Sequence, residues 1–241
     1  MNLRPLLATT RRVLTQLRHD PRTVALLVAV PSLLMVLLRY VFDSAAFFDH
    51  IAPALLGFFP FLMMFLITSI TMLRERTSGT LERLLTTPMA KLDLLGGYGL
   101  AFSVVAAVQV VLAVLVSLGL GLSVAGSIAW LLIVALLNAL LGLLASAFAR
   151  SEFQAMQFMP VVVLPQLLLC GLFHPRAEMA VVLRWASDVL PLSYAVDALQ
   201  RVTSSSSSSL SSIYWHDVLV VLGCALAGLA LAAATLRRRT D

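Results

Sequence analysis

The sequence predicts an all-α integral membrane protein with six transmembrane helices, and three observations carry that prediction. Apolar residues fill 60% of the 241 positions and charged residues only 12%, against about 45 to 50% and about 25% in an ordinary soluble domain. That leaves too little polar surface to cover a water-soluble fold of this size. Six apolar runs, near 23–42, 51–73, 94–118, 128–149, 154–173 and 215–236, approach the roughly 20 residues a helix needs to cross a bilayer. The basic residues also segregate: thirteen of the seventeen fall on one side of such a six-span topology, with both termini inside. That side carries +7 and the other −2, matching the net +5. A basic balance of this origin reflects membrane topology, and the arginines form no single patch for nucleic acid. The apolar content excludes a disordered chain, and the two cysteines, Cys170 and Cys224, exclude a disulfide scaffold.

Residues 1–20 come first. On a helical wheel Leu3, Leu6, Leu7, Val13, Leu14 and Leu17 share one arc while Arg4, Arg11, Arg12 and Arg18 take the other side. That pattern predicts an amphipathic helix lying in the inner interface, as an anchor, as a docking surface, or as both at once. The first span opens after Asp20-Pro21-Arg22, and Arg39 lies near enough to its far end to snorkel. It is too long for a signal peptide, and Ser44-Ala45-Ala46 is a poor cleavage site.

After the second span, residues 74–91 carry most of the internal charge. Thr80 suits an N-cap, Leu81, Leu84 and Leu85 make one apolar face, and Pro88 ends a short helix. A helix this short is marginal alone, so that face calls for a partner; the alternative is a solvated connector whose charges fix topology. Gly96-Gly97-Tyr98-Gly99, which opens the third span, reads as a site of tight helix packing. In the fifth span Pro160 and Pro165 should interrupt backbone hydrogen bonds and bend the helix near Gln157 and Gln166.

Residues 174–201 carry too many charges to cross a bilayer: His174, Arg176, Glu178, Arg184, Asp188, Asp197 and Arg201. Two apolar-faced pieces, Met179 to Trp185 and Leu192 to Leu199, meet at Pro191 and predict a helical hairpin at the outer interface, dipping against the bundle. Ser204 to Ser209 is low-complexity and is assigned no role.

The chemistry expected of an engine is missing. No Asp, Glu or His sits centrally in a span, where an ion-coupled carrier generally places one. The intramembrane amides Gln109, Asn138, Gln154, Gln157 and Gln166 suit interhelical hydrogen bonds or contact with a substrate. A phosphate-binding loop needs Gly-Lys-Ser/Thr, and the sole lysine, Lys91, follows Ala90. No zinc motif or nucleophile elbow is present, and the four histidines lie apart at span boundaries. The sequence thus predicts no catalytic residues, no metal site and no cofactor within the chain.

Two stretches resemble a known family. One is Glu75-Arg76-Thr77-Ser78-Gly79-Thr80-Leu81-Glu82-Arg83-Leu84-Leu85-Thr86-Thr87-Pro88; the other is Leu190-Pro191-Leu192-Ser193-Tyr194-Ala195-Val196-Asp197-Ala198-Leu199-Gln200-Arg201. With six spans and an amphipathic N-terminal helix, the whole chain resembles the membrane subunit of a type 2 ATP-binding-cassette exporter, nearest the drug and antibiotic exporters. The resemblance implies a coupling segment in contact with an ATPase through Arg74, Glu75, Arg76, Gly79, Thr80, Leu81, Glu82, Leu84 and Leu85. It implies an outer re-entrant hairpin marked by Pro191, Tyr194, Asp197 and Arg201. It also implies two separate ATPase subunits binding ATP and Mg, and a second permease subunit. Spans two and five would line the central interface, giving a translocation path along Phe58, Phe61, Phe65, Thr68, Met72, Gln157, Pro160 and Gln166. Sixteen Arg to one Lys with abundant Ala points to a high-GC bacterial genome and an inner membrane. Export of a lipid or glycan, a non-transporting assembly or signalling role, and an ion-coupled carrier are the competing readings.

Overall fold

A computed structural model describes residues 3–77, 91–146, 157, 159–204 and 212–235. Helix α1 (Leu3–His19) is followed by α2 (Pro21–Phe42), α3 (Ala45–Thr77), α4 (Lys91–Gly119) and α5 (Ile128–Ser146). A π-helical turn at Met159–Val163 leads into α6 (Leu164–Leu169), a 3-10 turn at Arg176–Glu178, then α7 (Val181–Val189), α8 (Pro191–Ser204) and α9 (Ser212–Thr235). There is no strand among the described residues.

The breaks have local causes. Asp20 separates α1 from α2, and Pro21 opens α2, where its missing N–H and fixed φ suit the first helical position. Between α2 and α3, Asp43 takes φ +43, a conformation Asp tolerates, and the Ser44 hydroxyl accepts from the Phe47 amide at 3.3 Å to cap α3. After α4 the chain turns through Gly121 at φ +98. The loop that follows is pinned to α8 by two backbone bonds, Ala125 N–H to the Thr203 carbonyl and Gly126 N–H to the Val202 carbonyl.

Three described helices are long and apolar enough to cross a membrane, within Val24–Phe42, Ala45–Thr71 and Gly96–Gly119. The expected runs at 128–149, 154–173 and 215–236 are described in part only, and α5 and α9 hold shorter apolar stretches there. The share of each span buried inside the molecule is 89% in α3 against 17% in α2 and 44% in α4, so α3 is the axis of the bundle. Between Ile51 and Met72 its sequence carries no charged residue and is apolar on every face, as a helix enclosed by others requires. Helices α5, α8, α2 and α4 pack around it.

Small residues set how closely they approach. A Cβ on Gly142 of α5 would lie 2.1 Å from the Phe61 carbonyl oxygen of α3, so only glycine fits this crossing. Gly57 of α3 similarly admits Leu199 and Val196 of α8. Helix α8 is embedded in the bundle: Leu192, Ala195, Val196, Ala198, Leu199 and Val202 are fully buried. Its apolar spacing at i, i+3 and i+4 faces α3, α5 and α9.

Two expectations need correction. The fifth run does not continue as a helix to residue 173: α6 ends at Leu169, and Gly171 turns the chain at φ +90. The bend expected at the prolines is a five-residue π-helical turn containing Pro160, with Pro165 in the first turn of α6. The apolar arc of α1 is also shared out. Leu6 and Val13 are buried within the protein and Leu14 and Leu17 pack on the core, while Leu3 and Leu7 face outward.

Candidate functional site

Residues at the two ends of α3 form separate polar assemblies. At the end where α3 finishes and α4 begins, α1 docks against α4. Leu6 packs on Gly96, a Cβ on Gly97 would lie 2.6 Å from the Thr9 Cβ, and the Thr10 hydroxyl donates to the Gly97 carbonyl at 3.1 Å. Arg12 donates to the Tyr98 hydroxyl and its guanidinium lies 5.7 Å from the ring centroid. The glycine cluster is therefore a seat for α1, a helix whose residues precede it by some ninety positions.

This seat adjoins the segment expected to couple to an ATPase. The backbone of Arg74, Glu75 and Arg76 belongs to the last turns of α3, and Lys91 opens α4. Gly79, Thr80, Leu81, Glu82, Leu84 and Leu85 lie outside the described residues, as do the side chains of Arg74, Glu75, Arg76 and Met72.

Along α3, Phe58, Phe61, Phe65 and Thr68 are buried in the core of the single chain. Their neighbours are the helices packed around α3. Asn138 donates through Nδ2 to the Gly57 carbonyl at 2.5 Å, an interhelical bond that spans the α3–α5 crossing. Gln109 is also buried, with neither amide atom hydrogen-bonded among the described residues. Gln166 donates to the Val162 carbonyl within its own turn at 3.2 Å. Gln157 is exposed, Pro160 lies in the π-helical turn, and Gln154 falls outside the described residues.

The far end of the bundle, roughly 40 Å away along α3 at 1.5 Å per residue, is held by ion pairs. Arg176 donates to Asp197 of α8 and, at 2.5 Å, to Asp188 of α7, and its guanidinium lies 5.2 Å from the Tyr194 ring centroid. The Tyr194 hydroxyl donates to the Asp188 carbonyl at 2.8 Å. Arg201 of α8 reaches the buried Asp217 of α9 through Nε at 3.2 Å, and the Ser187 hydroxyl sits 2.7 Å from the Leu169 carbonyl and 3.0 Å from the Ser193 hydroxyl. Asp49 accepts from both the amide and the hydroxyl of Ser123, at 2.9 and 2.7 Å, closing the α4–α5 loop onto α3. These contacts surround a cleft of about 650 Å³ lined by Arg176, Arg184, Asp188, Tyr194, Asp197, Arg201 and both His50 and His216. Burial pushes the Asp197 carboxyl above its ordinary value, and the Arg176 guanidinium opposes this.

The sequence marks Tyr194, Asp197 and Arg201 in this region, and the structure brings those three to one cleft with Arg176, whereas Pro191 starts α8. Asp188, Arg184 and Arg176 count in the sequence only as charges that forbid a span. Asp217 goes unmarked, because one carboxylate at the edge of an apolar run looks like a boundary. Its signal is the Arg201 sixteen residues earlier, which becomes legible once α8 and α9 are known to be adjacent. No three metal-binding side chains cluster among the described residues.

Similarity places this architecture among known proteins. The chain is 28% identical over 210 residues to the probable multidrug ABC transporter permease YbhS of Escherichia coli K12, covering 84% of this chain and 55% of that protein. It is 24% identical over 177 residues to the probable multidrug ABC transporter permease YbhR of the same organism, covering 71% and 48%. Over 184 residues it is 26% identical to ABC transporter G family member 20 of Dictyostelium discoideum, covering 74% of this chain and 25% of that protein. The chain thus spans about half the length of the bacterial relatives and a quarter of the Dictyostelium one. No solved structure matches it. Residues 5–203 match the family described as ABC-2 type transporter, and with that stretch covering most of its length the chain belongs to this family.

Proposed function

We propose that the chain is the membrane-spanning permease part of an ATP-driven exporter that moves a hydrophobic or amphipathic, drug-like compound out of the cytoplasm or inner leaflet. The observation that carries this reading is the family match over residues 5–203 in a chain whose sequence holds no phosphate-binding loop. In this reading the energy comes from an ATPase that binds ATP and Mg, and residues 74–91 are the proposed contact. The two bacterial relatives are named probable multidrug permeases, which supports a drug-like cargo.

In this reading two ATPase subunits act on a pair of permeases, residues 74–91 face the cytoplasm with both termini, and the cleft at the far end of α3 faces outward across a bacterial inner membrane. The seat of α1 on Gly96 and Gly97 supports a mechanical role, because it joins the N-terminal helix to α4 directly after the coupling segment. Phe58, Phe61, Phe65 and Thr68 are enclosed in this conformation. Cargo would reach them only if helices around α3 separate, so ATP binding must favour an arrangement in which they do.

The test is the purified complex with its ATPase. Glu75→Ala and Gly79→Leu should leave membrane insertion intact while abolishing the rise in ATP hydrolysis on adding substrate, with export lost in parallel. Export at the wild-type rate by both variants would refute the coupling role of this segment.

A further inference from the structure

We propose that the cleft at the far end of α3 is an anion site that takes the phosphate group of a membrane amphiphile, held by Arg184 and Arg201 with the amphiphile's chains lying along α7. Both carboxylates lining the cleft, Asp188 and Asp197, are bound to the one guanidinium of Arg176. Arg201 uses Nε on Asp217, and its two terminal nitrogens have no acceptor among the described residues. Arg184 lines the same cleft, is exposed and has no ion-pair partner among the described residues. Each carboxylate gives one oxygen to Arg176, and among the residues lining the cleft three guanidiniums, Arg176, Arg184 and Arg201, stand against two carboxylates, an excess of positive charge. A phosphate oxygen accepts charge-assisted bonds from such groups in planar, paired geometry. The imidazoles of His50 and His216 border the same space, and the Nδ1 of His216 faces Asp217 at 3.4 Å.

A second observation distinguishes an amphiphile from a small anion. On the helical wheel of α7, Arg184 and Asp188 share one edge towards the cleft, and buried Ser187 faces the bundle. Val182, Trp185 and Val189 make the outward face, at 74%, 69% and 80% exposure. The helix therefore sets apolar surface beside the cationic cleft within one turn, and the volume of about 650 Å³ accommodates a phosphate headgroup. A tryptophan at this position matches the headgroup level, where its ring is both apolar and polar-tipped. The inference requires that this end of the bundle meet the headgroup layer, and it stands whether or not the chain exports anything.

The experiment titrates short-chain phosphatidylglycerol, phosphatidylcholine of the same chain length, and inorganic phosphate into the detergent-solubilised chain, reading bound lipid by native mass spectrometry and bound phosphate by calorimetry. Phosphatidylglycerol should bind more tightly than phosphatidylcholine. Arg184→Gln should weaken it about tenfold, as loss of one charge-assisted contact implies, and Arg184→Lys should restore most of it. Arg184 is exposed and has no ion-pair partner among the described residues, so these variants should fold normally. Trp185→Ala should weaken the lipid and leave inorganic phosphate unaffected. Equal affinity of Arg184→Gln and the unaltered chain, or equal affinity for the two lipids, overturns the site. Inorganic phosphate binding as tightly as the lipid, with Trp185→Ala without effect on either, overturns the amphiphile as its source.

Discussion

Gly142 and Gly99 differ by what a methyl group would meet. At Gly142 it would strike the α3 backbone at the Phe61 carbonyl, whereas nothing lies within 4 Å of the position at Gly99. Backbone cannot yield as a flexible side chain can, so Gly142→Ala should cost about 1 to 3 kcal/mol through forced separation of α3 and α5. Gly99→Ala should be neutral or stabilising by up to about 1 kcal/mol, since glycine is the poorer helix former. Thermal midpoints of the detergent-solubilised variants check both, and equal midpoints would contradict the crossing. The clustered glycines at 96–99 are legible in sequence as a packing surface because they adjoin one another. Gly142 is not, since one glycine in an apolar run carries no periodicity and its need arises only from the angle at which two helices meet.

Asp197 supports a pH prediction at the same scale. With its carboxyl raised chiefly by burial, the folded protein holds that proton more tightly than the unfolded chain. Its contribution to stability therefore falls as pH rises from the ordinary carboxylate value to the raised one, and recovers as pH falls through the same interval. The midpoint of the unaltered protein relative to Asp197→Asn, which cannot titrate, should increase on acidification through that interval. A constant difference would contradict it.

Among the elements, α1 is the most instructive. Its amphipathic pattern is plain in the sequence, but the destination of its apolar arc is not. A wheel separates apolar from charged residues and does not distinguish acyl chains from the side of another helix. The structure divides the arc, with Leu6 and Val13 inside and Leu3 and Leu7 outside. Gly97→Leu should unseat α1 and expose the bonds after Arg11, Arg12 and Arg18 to trypsin in the solubilised protein, while Gly99→Leu, with open space around it, should not. Identical cleavage rates for the two would contradict the seat. The fifth run teaches a related lesson. Pro160 and Pro165 are correctly read as interruptions, yet the end of the helix at Leu169 depends on Gly171, which the sequence presents as one more small residue in a membrane run. Hairpin helices α7 and α8 are recognisable from their charges, and Arg176 ties the two together through Asp188 and Asp197. Arg176→Ala should loosen both from the 3-10 turn, costing about 1 to 3 kcal/mol because Asp197 would be left partly buried without its cation.

For the whole molecule, composition and arginine distribution carry the membrane assignment, and the two motifs carry the family. What they do not carry is which helix stands at the centre. All the apolar runs look alike by composition, and enclosure of α3 follows from where glycines and α8 allow neighbours to approach. Phe58, Phe61, Phe65 and Thr68, proposed for a path, are thereby found in a packed core, so the exporter reading requires a rearrangement that composition alone gives no reason to expect. All of that reading depends on residues 74–91 facing the compartment where ATP is available. Sided labelling tests this most directly, with Ser78→Cys and Ala186→Cys introduced separately into a chain whose Cys170 and Cys224 are replaced by alanine. A membrane-impermeant maleimide should label Ala186→Cys in intact cells and reach Ser78→Cys only after the membrane is opened. Labelling of Ser78→Cys from outside intact cells would contradict the account.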